Sequence, residues 1–381
     1  MIVNSPRFDL VVVGAGIVGL AHAYQAARAG RKVLVCERSP RAMGASVRNF
    51  GMIWPSGQAQ GFVQEIALRS RDHWLQVAKG AGLWHNPCGS LHLAYADDEM
   101  QVLEEFVQFG ASQLDVRLLS RDEIAARYGA VKLDGLRGGL FSSEDVCVDP
   151  RQSISEIPAY LQREFGVEFR FNTAVIGWDA GVAKTSRGDV SASHLLVCGG
   201  DDFQTLFPET FDSSGLIRCK LQMMRSQPQG ADSQLDVMLA GGLTLGHYAS
   251  FEACPSLPAL KQRFARDLPD YKRWGIHVMA SQHGTGEITI GDSHEYFNLD
   301  SPVPPFDRDE VDSLILDYLN TFLNVPDLKI AQRWQGVYAK HPEKTFFVAH
   351  PAEGATVVGG VGGAGMTLSF GLAEKIIKEL N

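Results

Sequence analysis

Three glycines in the amino-terminal part of the chain have the types and spacing of a phosphate-binding turn. Gly14, Gly16 and Gly19 form G-x-G-x-x-G directly after a continuous apolar run. The first glycine permits a tight turn, the second lets a pyrophosphate approach the backbone, and the third lets helix and strand pack closely. The helix that follows, whose first residues are Ile17 and Val18, would then point the positive end of its dipole at the phosphates. The pattern predicts a dinucleotide site.

An acidic residue after the second predicted strand supports this interpretation. Residues 32–36 form that strand, and Glu37 follows at its end, with Arg38 beside it. A carboxylate there can accept hydrogen bonds from both ribose hydroxyls and disfavours a 2′-phosphate, hence NADP. Glycines alone would also suit a βα turn that binds nothing. Glycines, strand, helix and acid together are far more specific.

The glycine motif does not distinguish NAD from FAD, because both carry ADP. Three later segments favour FAD. The first is the small, polar loop 44–52, GASVRNFGM, which follows the second strand and offers cofactor contacts at Ala45, Ser46, Arg48, Asn49, Gly51 and Met52. The second is an apolar strand at 195–198, and the candidate contacts in and before it are Val175, Cys198, Gly199 and Gly200.

The third segment lies near the end of the chain, where an apolar strand, a run of glycines and a helix follow one another. The helix has Leu368, Leu372, Ile376 and Leu380 on one face. A glycine-rich helix start lets backbone N–H groups point at the delocalised anion of a reduced flavin. The alternative is a connector that only packs. The predicted contacts are Gly362, Gly363, Ala364, Gly365, Met366 and Thr367.

The bulk composition is compatible with a folded protein of two domains. The chain has 381 residues, of which 45% are hydrophobic, and its net charge is −9. This charge and the lack of a dense Lys/Arg tract argue against nucleic acid as a partner. Six scattered cysteines without a C-x-x-C pair predict neither a metal site nor disulfides, and favour the cytoplasm.

The apolar stretch 10–27 approaches the length of a membrane span or a signal-peptide core. Its glycines and Gln25 favour a buried strand, turn and helix instead. Farther along, Asp307 and Glu310 predict a capping box at the start of an amphipathic packing helix. Composition leaves the oligomeric state open.

Taken in order, the three segments resemble the D-amino-acid oxidase, glycine oxidase and sarcosine oxidase family of FAD enzymes. The resemblance implies an α/β fold, with a discontinuous Rossmann-like FAD-binding domain whose parallel sheet carries a three-stranded antiparallel addition. It also implies an α+β substrate domain with a large antiparallel sheet. We expect the FAD-binding domain at 1–84, 148–218 and 333–381, and the substrate domain at 85–147 and 219–332.

The segment 333–344, RWQGVYAKHPEK, resembles the family strand that carries substrate-binding side chains over the flavin. Many amino-acid oxidases have Gly-Leu-Arg-Pro there, with an arginine for the substrate carboxylate, but this chain has Tyr338 in that stretch. A plain α-amino acid is thereby disfavoured. Sarcosine-type oxidases carry a covalent cysteine two residues before the tyrosine. That position is Gly336, which implies non-covalent FAD.

Strings such as SVRNFGMIWPSGQ and GDSHEY also resemble a bacterial clade of the family associated with aminophosphonate breakdown. A phosphonate calls for several donors rather than one arginine. The candidate substrate-binding residues are Tyr338, Arg48, Arg225, Lys340 and His247. The candidate catalytic residues are Tyr338, Arg48 and His277. Each also has a structural interpretation, as a surface arginine or a hydrogen-bonded core residue.

These features predict oxidation of a C–N bond in a small amine, by hydride transfer to flavin N5, with O₂ as acceptor and an imine that hydrolyses. The expected partners are therefore a small amine and O₂. Two alternatives stay open: an FAD-dependent dehydrogenase of a hydroxy acid or amino acid that uses a quinone or another carrier, and a flavin-binding sensor without turnover.

Overall fold

The computed structural model describes residues 8–109, 111, 113–230 and 233–380. Within them the strands, in chain order, are β1 Phe8–Val13, β2 Val33–Cys36, β3 Met52–Ile53, β4 His85–Asn86, β5 Ser90–Ala94, β6 Val116–Ser120, β7 Gly138–Ser142, β8 Val146–Val148, β9 Glu168–Arg170, β10 Val175–Asp179, β11 Val182–Thr185, β12 Val190–Val197, β13 Ile217–Ser226, β14 Met238–Ala240, β15 Met279–Gln282, β16 Ile288–Gly291, β17 Glu295–Phe297, β18 Ile330–Lys340, β19 Phe347–Ala352 and β20 Ala355–Gly359. The helices are α1 Ile17–Arg28, α2 Phe62–Ala81, α3 Asp97–Phe109, α4 Arg121–Arg127, α5 Pro150–Phe165, α6 Pro208–Asp212, α7 Leu257–Asp267, α8 Pro269–Arg273, α9 Asp309–Phe322 and α10 Gly365–Glu379.

The first sheet is parallel at its centre, in the order β9-β2-β1-β12-β20. Strand β1 is almost wholly buried, as expected for an apolar run covered on both faces. Antiparallel pairing extends the sheet through the hairpin β10–β11 beside β12 and through β19 beside β20. These features confirm the predicted α/β, Rossmann-like architecture.

The second sheet has nine strands and is antiparallel except where β14 and β5 pair in parallel. Its longest pairing joins β13 to β18 along nearly the full length of both strands. A small third sheet has the strand order β3-β8-β4. The large antiparallel sheet of the second domain is thus confirmed.

The domain boundaries at residues 84, 147, 218 and 332 stay a prediction. The residues 1–7 and 381 of the predicted FAD-binding domain lie outside the described residues. Strand β18, which the prediction assigned largely to that domain, pairs with β13 in the second sheet.

The packing helix α9 confirms one expectation and corrects another. Val311, Ile315 and Phe322 are buried on one face, as the apolar spacing predicted. The capping box was wrong, because the helix begins at Asp309 with Arg308 as its N-cap, and that residue makes no side-chain capping bond to any described residue. Asp307 lies instead 3.8 Å from the ammonium of the buried Lys220.

Helices α2 and α10 pack so closely that one glycine is required between them. A Cβ on Gly371 of α10 would lie 2.2 Å from the carbonyl oxygen of Ile66 in α2. Trp74 of α2 donates a 2.7 Å hydrogen bond from its indole nitrogen to the carbonyl of Met366. This contact holds the first turn of α10, which follows the predicted flavin-binding glycines.

We expect Gly371→Ala to lower the free energy of unfolding by about 1–3 kcal/mol, because backbone atoms must move to admit the methyl group. Urea unfolding followed by circular dichroism measures this difference. Gly129→Ala is the control, since a Cβ there meets no described atom within 4 Å. Equal stability of the two variants would contradict the packing argument.

A second contact between α2 and α10 depends on charge. Burial by itself would raise the pKa of Glu374, but hydrogen bonds from Lys378, Arg69 and His73 outweigh it and lower the pKa from 4.5 to about 2. A depressed carboxyl pKa contributes stability above the unfolded-state pKa, and this contribution is lost as the pH falls through the folded-state pKa.

Glu374→Gln is therefore expected to lower the free energy of unfolding by about 1–2 kcal/mol at neutral pH. The difference from wild type should shrink as the pH falls from about 4.5 toward 2. Denaturant unfolding at several pH values tests this, with the exposed Glu379→Gln as control. A pH-independent difference would rule out the charge contribution.

Candidate functional site

A cavity of about 880 Å³ lies between the parallel sheet and the second sheet. One part of it follows the loops at the carboxyl ends of β1, β2 and β12. The other part lies under side chains of β13, β15 and β18 and ends near the glycines before α10. The cavity therefore joins all three segments on which the FAD prediction was based.

The first glycine turn has the conformation that the spacing predicted. Gly14 has φ +95°, and a Cβ on it would lie 2.6 Å from the carbonyl oxygen of Cys198. A Cβ on Gly19 would lie 2.0 Å from the carbonyl of Gly14, so its role is helix–strand packing. The first amide of α1, that of Ile17, donates to Ser46 Oγ at 2.9 Å. The turn and the loop 44–52 thus meet at the helix amino terminus.

Glu37 lines the cavity with a carboxylate that the backbone holds in place. Its Oε2 accepts a 3.0 Å hydrogen bond from the amide of Ala15, and its Oε1 accepts one of 2.9 Å from the amide of Ser39. Each carboxylate oxygen has a second acceptor position. This geometry leaves Glu37 able to accept from the two hydroxyls of a ribose.

Most of the predicted site residues line this one cavity. They are Gly14, Gly16, Ile17, Val18, Glu37, Arg38, Ala45, Ser46, Arg48, Asn49, Met52, Val175, Cys198, Gly199, Gly200, His247, His277, Gly336, Tyr338, Lys340, Gly362, Gly363, Ala364, Gly365, Met366 and Thr367. Gly19 and Gly51 lie behind the cavity wall. A Cβ on Gly51 would lie 1.9 Å from the carbonyl of Val148, so this glycine permits a close backbone contact.

Arg225 is the one predicted substrate-binding residue that lies outside the described cavity lining. It is buried, and its guanidinium lies 3.2 Å from a carboxylate oxygen of Asp149 and 3.6 Å from one of Glu287. These two carboxylates compensate the positive charge of Arg225 at a position outside the cavity lining. Arg225 shares a face of β13 with the cavity-lining Leu221 and Met223 but lies beyond the described lining, and its two ion pairs disfavour the predicted substrate-binding role.

The polar side chains of the loop 44–52 divide into two groups. The amide nitrogen of Asn49 donates to the carbonyls of Ala45 and Ser46, and its oxygen accepts from the amide of Gly51. Asn49 thus stabilises the loop itself. Arg48 is half-buried, lines the cavity and donates to the carbonyl of Gln335 at 3.2 Å.

The glycine turn at residues 362–365, which precedes α10, lies next to Tyr338, and the helix after it is hydrogen-bonded to Trp54. A Cβ on Gly363 would lie 3.4 Å from the phenol oxygen of Tyr338, which projects from β18. Thr367 Oγ1 accepts a 2.9 Å hydrogen bond from the amide of Trp54. Burial raises the pKa of Tyr338 well above its usual value, so its hydroxyl stays a donor at neutral pH.

Three histidines and an aspartic acid meet at the end of the cavity under the second sheet. His247 and His277 stack with ring centroids 3.7 Å apart, and His294 lies 4.7 Å from the first and 4.9 Å from the second. A carboxylate oxygen of Asp292 lies 3.4 Å from Nδ1 of His277. Tyr248 completes the group.

Burial controls the charge of this cluster. It lowers the pKa of His247 and His277 well below 6.5 and that of His294 to about 4. It also raises the pKa of Asp292 well above 3.8. Burial thus disfavours the charged forms of all four groups, and Lys340 lines the cavity beside them.

Sequence reasoning missed Asp292, Tyr248 and Trp54, which line the cavity from three different segments. Asp292 follows β16 in the string GDSHEY, whose polar residues after an apolar strand were the available signal. Tyr248 and Trp54 sit in irregular loops, for which no periodic pattern exists.

The residues that line the cavity fit a bound FAD. A Cβ on Gly14 would contact Cys198, and a Cβ on Gly16 would contact Ser46. Glycine at both positions therefore lets the backbone of the turn lie close to the loop 44–52 and leaves its amides accessible from the cavity. Glu37 offers acceptors at one end, and the amino termini of α1 and α10 offer backbone donors.

We expect Glu37→Gln to weaken FAD binding about 10-fold or more, because the amide offers one acceptor oxygen where the carboxylate offers two charged ones. Fluorescence titration of the apoprotein with FAD measures the affinity. Glu168→Gln, at an exposed position on the adjacent strand β9, is the control. An unchanged affinity in a folded Glu37→Gln variant would remove Glu37 from the site.

Comparison with known proteins agrees with this geometry. The chain is 28% identical over 219 residues to N-methyl-L-tryptophan oxidase of Escherichia coli, a match that covers 53% of this chain and 56% of that protein. The chain thus spans about half the length of the curated relatives it matches. Among the residues that the structure describes, no helix has the length and apolarity needed to cross a membrane.

Solved structures show the same fold. L-proline dehydrogenase from P. horikoshii superposes with a TM-score of 0.79 at 17% identity, over 99% of this chain and 94% of that one. Glycine oxidase from Bacillus cereus gives 0.77 at 17% identity, over 98% and 96%. L-alpha-glycerophosphate oxidase from Mycoplasma pneumoniae with FAD bound gives 0.74 at 16%, over 98% and 95%.

The sequence profile of the FAD dependent oxidoreductase family, DAO, matches residues 9–379. That range includes both glycine turns, the loop 44–52 and the whole second sheet. It confirms the family resemblance and FAD as the cofactor. The chain belongs to the DAO family of FAD-dependent oxidoreductases.

Proposed function

We propose that the protein oxidises the C–N bond of a small primary or secondary amine. The observation that carries this proposal is the single cavity that runs from the first glycine turn to the polar cluster under the second sheet. One part of it fits a dinucleotide, and the other part leaves room for a small polar substrate. Bound FAD would supply the two-electron acceptor for the hydride from the carbon next to nitrogen.

The residues that would hold FAD come from all three predicted segments. The turn at Gly14 and Gly16 and the start of α1 would bind the pyrophosphate, Glu37 the ribose, and the turn at Gly363 the flavin side. Non-covalent binding is supported by Gly336, which stands where sarcosine-type relatives carry the covalent cysteine.

The second sheet would orient the substrate and exclude water from it. Tyr338 offers a hydroxyl donor, and Lys340 and Arg48 offer cations on two sides of the cavity. Two cations and a phenol suit an anionic group such as a phosphonate. Burial lowers the pKa of His277 and raises that of Asp292, which disfavours the charged forms of both and so favours the unprotonated amine that the reaction needs.

The electron acceptor and the compartment belong to the same proposal. O₂ would reoxidise the reduced flavin and give H₂O₂, and water would hydrolyse the imine. The six described cysteines are all free, which supports a reducing compartment such as the cytoplasm.

Anaerobic mixing of the FAD-loaded protein with candidate substrates tests the function. The panel contains glycine, sarcosine, 2-aminoethylphosphonate, its N-methyl derivative and two hydroxy acids. We expect an amine to bleach the visible flavin band, and air to restore it with release of peroxide. Bleaching by hydroxy acids alone would favour a hydroxy-acid dehydrogenase, and no bleaching by any compound would favour a flavin-binding sensor.

Tyr338→Phe is expected to lower kcat/KM for the best amine about 10-fold, since a neutral hydrogen bond to substrate contributes roughly 1.4 kcal/mol. FAD content should stay unchanged, because the ring remains. Steady-state peroxide production measures the effect. Tyr271→Phe, in a helix of the second domain away from the cavity lining, is the control, and equal kinetics of both variants would exclude Tyr338 from substrate binding.

A further inference from the structure

The histidine cluster has the composition of a metal site, although the sequence shows no metal-binding motif. One ring nitrogen from each of His247, His277 and His294 lies within 4.8 Å of the others. The three residues come from a loop before α7, from the segment before β15 and from the segment between β16 and β17. Only the tertiary structure brings them together.

Hydrogen bonds orient one ring of the cluster. Nδ1 of His294 lies 3.0 Å from the carbonyl oxygen of Gly275, an acceptor only, so this nitrogen carries the proton. Nε2 of His294 is then unprotonated, and it lies 3.8 Å from a carboxylate oxygen of Asp292. A histidine whose second nitrogen donates to a backbone carbonyl is the usual arrangement of metal ligands.

Two polar atoms at the centre of the cluster have no hydrogen bond among the described residues. They are Nδ1 of His277 and Oδ1 of Asp292, which lie 3.4 Å apart in side chains that are 3% and 8% exposed. Leaving such buried atoms unpaired is unfavourable, because they have lost their hydrogen bonds to water. A bound cation would accept lone pairs from both atoms.

We propose that His247, His277, His294 and Asp292 bind one divalent transition-metal ion. Three imidazole nitrogens and a carboxylate oxygen suit Zn²⁺, Co²⁺ or Ni²⁺ rather than Mg²⁺ or Ca²⁺, which prefer oxygen ligands.

The most distant ligands must approach one another by about 1.4 Å, because nitrogens on a tetrahedral ion lie about 3.4 Å apart. His247 can provide this movement, since it follows a short 3-10 turn and is exposed to the cavity. The same exposure puts the ion at the cavity wall, where it would offer an open position to whatever occupies the substrate end. The proposal does not depend on which substrate is oxidised.

Metal titration of the full-length, FAD-saturated protein tests the site. The protein carries no polyhistidine tag and is first freed of metal with a chelator. Calorimetry with Zn²⁺ is expected to show one ion per chain with a dissociation constant of about 1 μM or lower. Co²⁺ should give the visible absorption of a tetrahedral nitrogen site at wavelengths beyond the flavin bands, and Mg²⁺ should give no binding.

His277→Ala and His294→Ala are expected to weaken Zn²⁺ binding about 100-fold or more. His247→Ala and Asp292→Asn should weaken it about 10-fold or more, and His247→Ala leaves the buried core intact. His283→Ala is the control, because this buried histidine of the same sheet is bonded to Thr289 outside the cavity. Absence of wild-type binding at about 100 μM Zn²⁺, or unchanged binding by His247→Ala and Asp292→Asn, would overturn the proposal.

Discussion

The in-register pairing of three parallel strands is the constraint on which the rest of the molecule depends. Val13 of β1 pairs with Val197 of β12, and Val197 pairs with Val357 of β20. The strands therefore end side by side, and the loops that follow them open at one edge of the sheet. Segments far apart in the chain thus contribute backbone to one elongated cavity. Glycines occupy positions in these segments at which a Cβ would collide with a neighbouring carbonyl oxygen.

Closure of that cavity by the second sheet determines its electrostatics. Strand β18 extends along β13 and brings Tyr338 to the glycine turn before α10. The same burial removes water from the histidines and Asp292, which lowers the pKa of the former and raises that of the latter. The result is a site in which burial disfavours charge on the histidines and Asp292, while Lys340 and Arg48 are among the basic residues that line the wall.

The cluster of three histidines and Asp292 has a part in both proposals, amine oxidation and metal binding. Uncharged imidazoles beside a flavin-sized cavity favour a neutral amine, and they are also free to coordinate a metal. Arg225, by contrast, lies outside the described cavity lining and is compensated by Asp149 and Glu287. A basic residue of the second sheet is a candidate for substrate binding only where no acidic partner compensates its charge. Where such partners are present, the residue is structural.

The sequence by itself determined the first turn, the acid at Glu37 and the closing glycines, because local spacing and backbone sterics specify strand, turn and helix. The fold class followed from family resemblance carried by those same motifs. The capping box at α9 was wrong because a tertiary contact to Lys220 competes for Asp307. Only the tertiary structure decided that Arg225 pairs with Asp149 and Glu287 and that Asp292 joins three distant histidines, because contacts between residues far apart in the chain leave no periodic signal in the sequence.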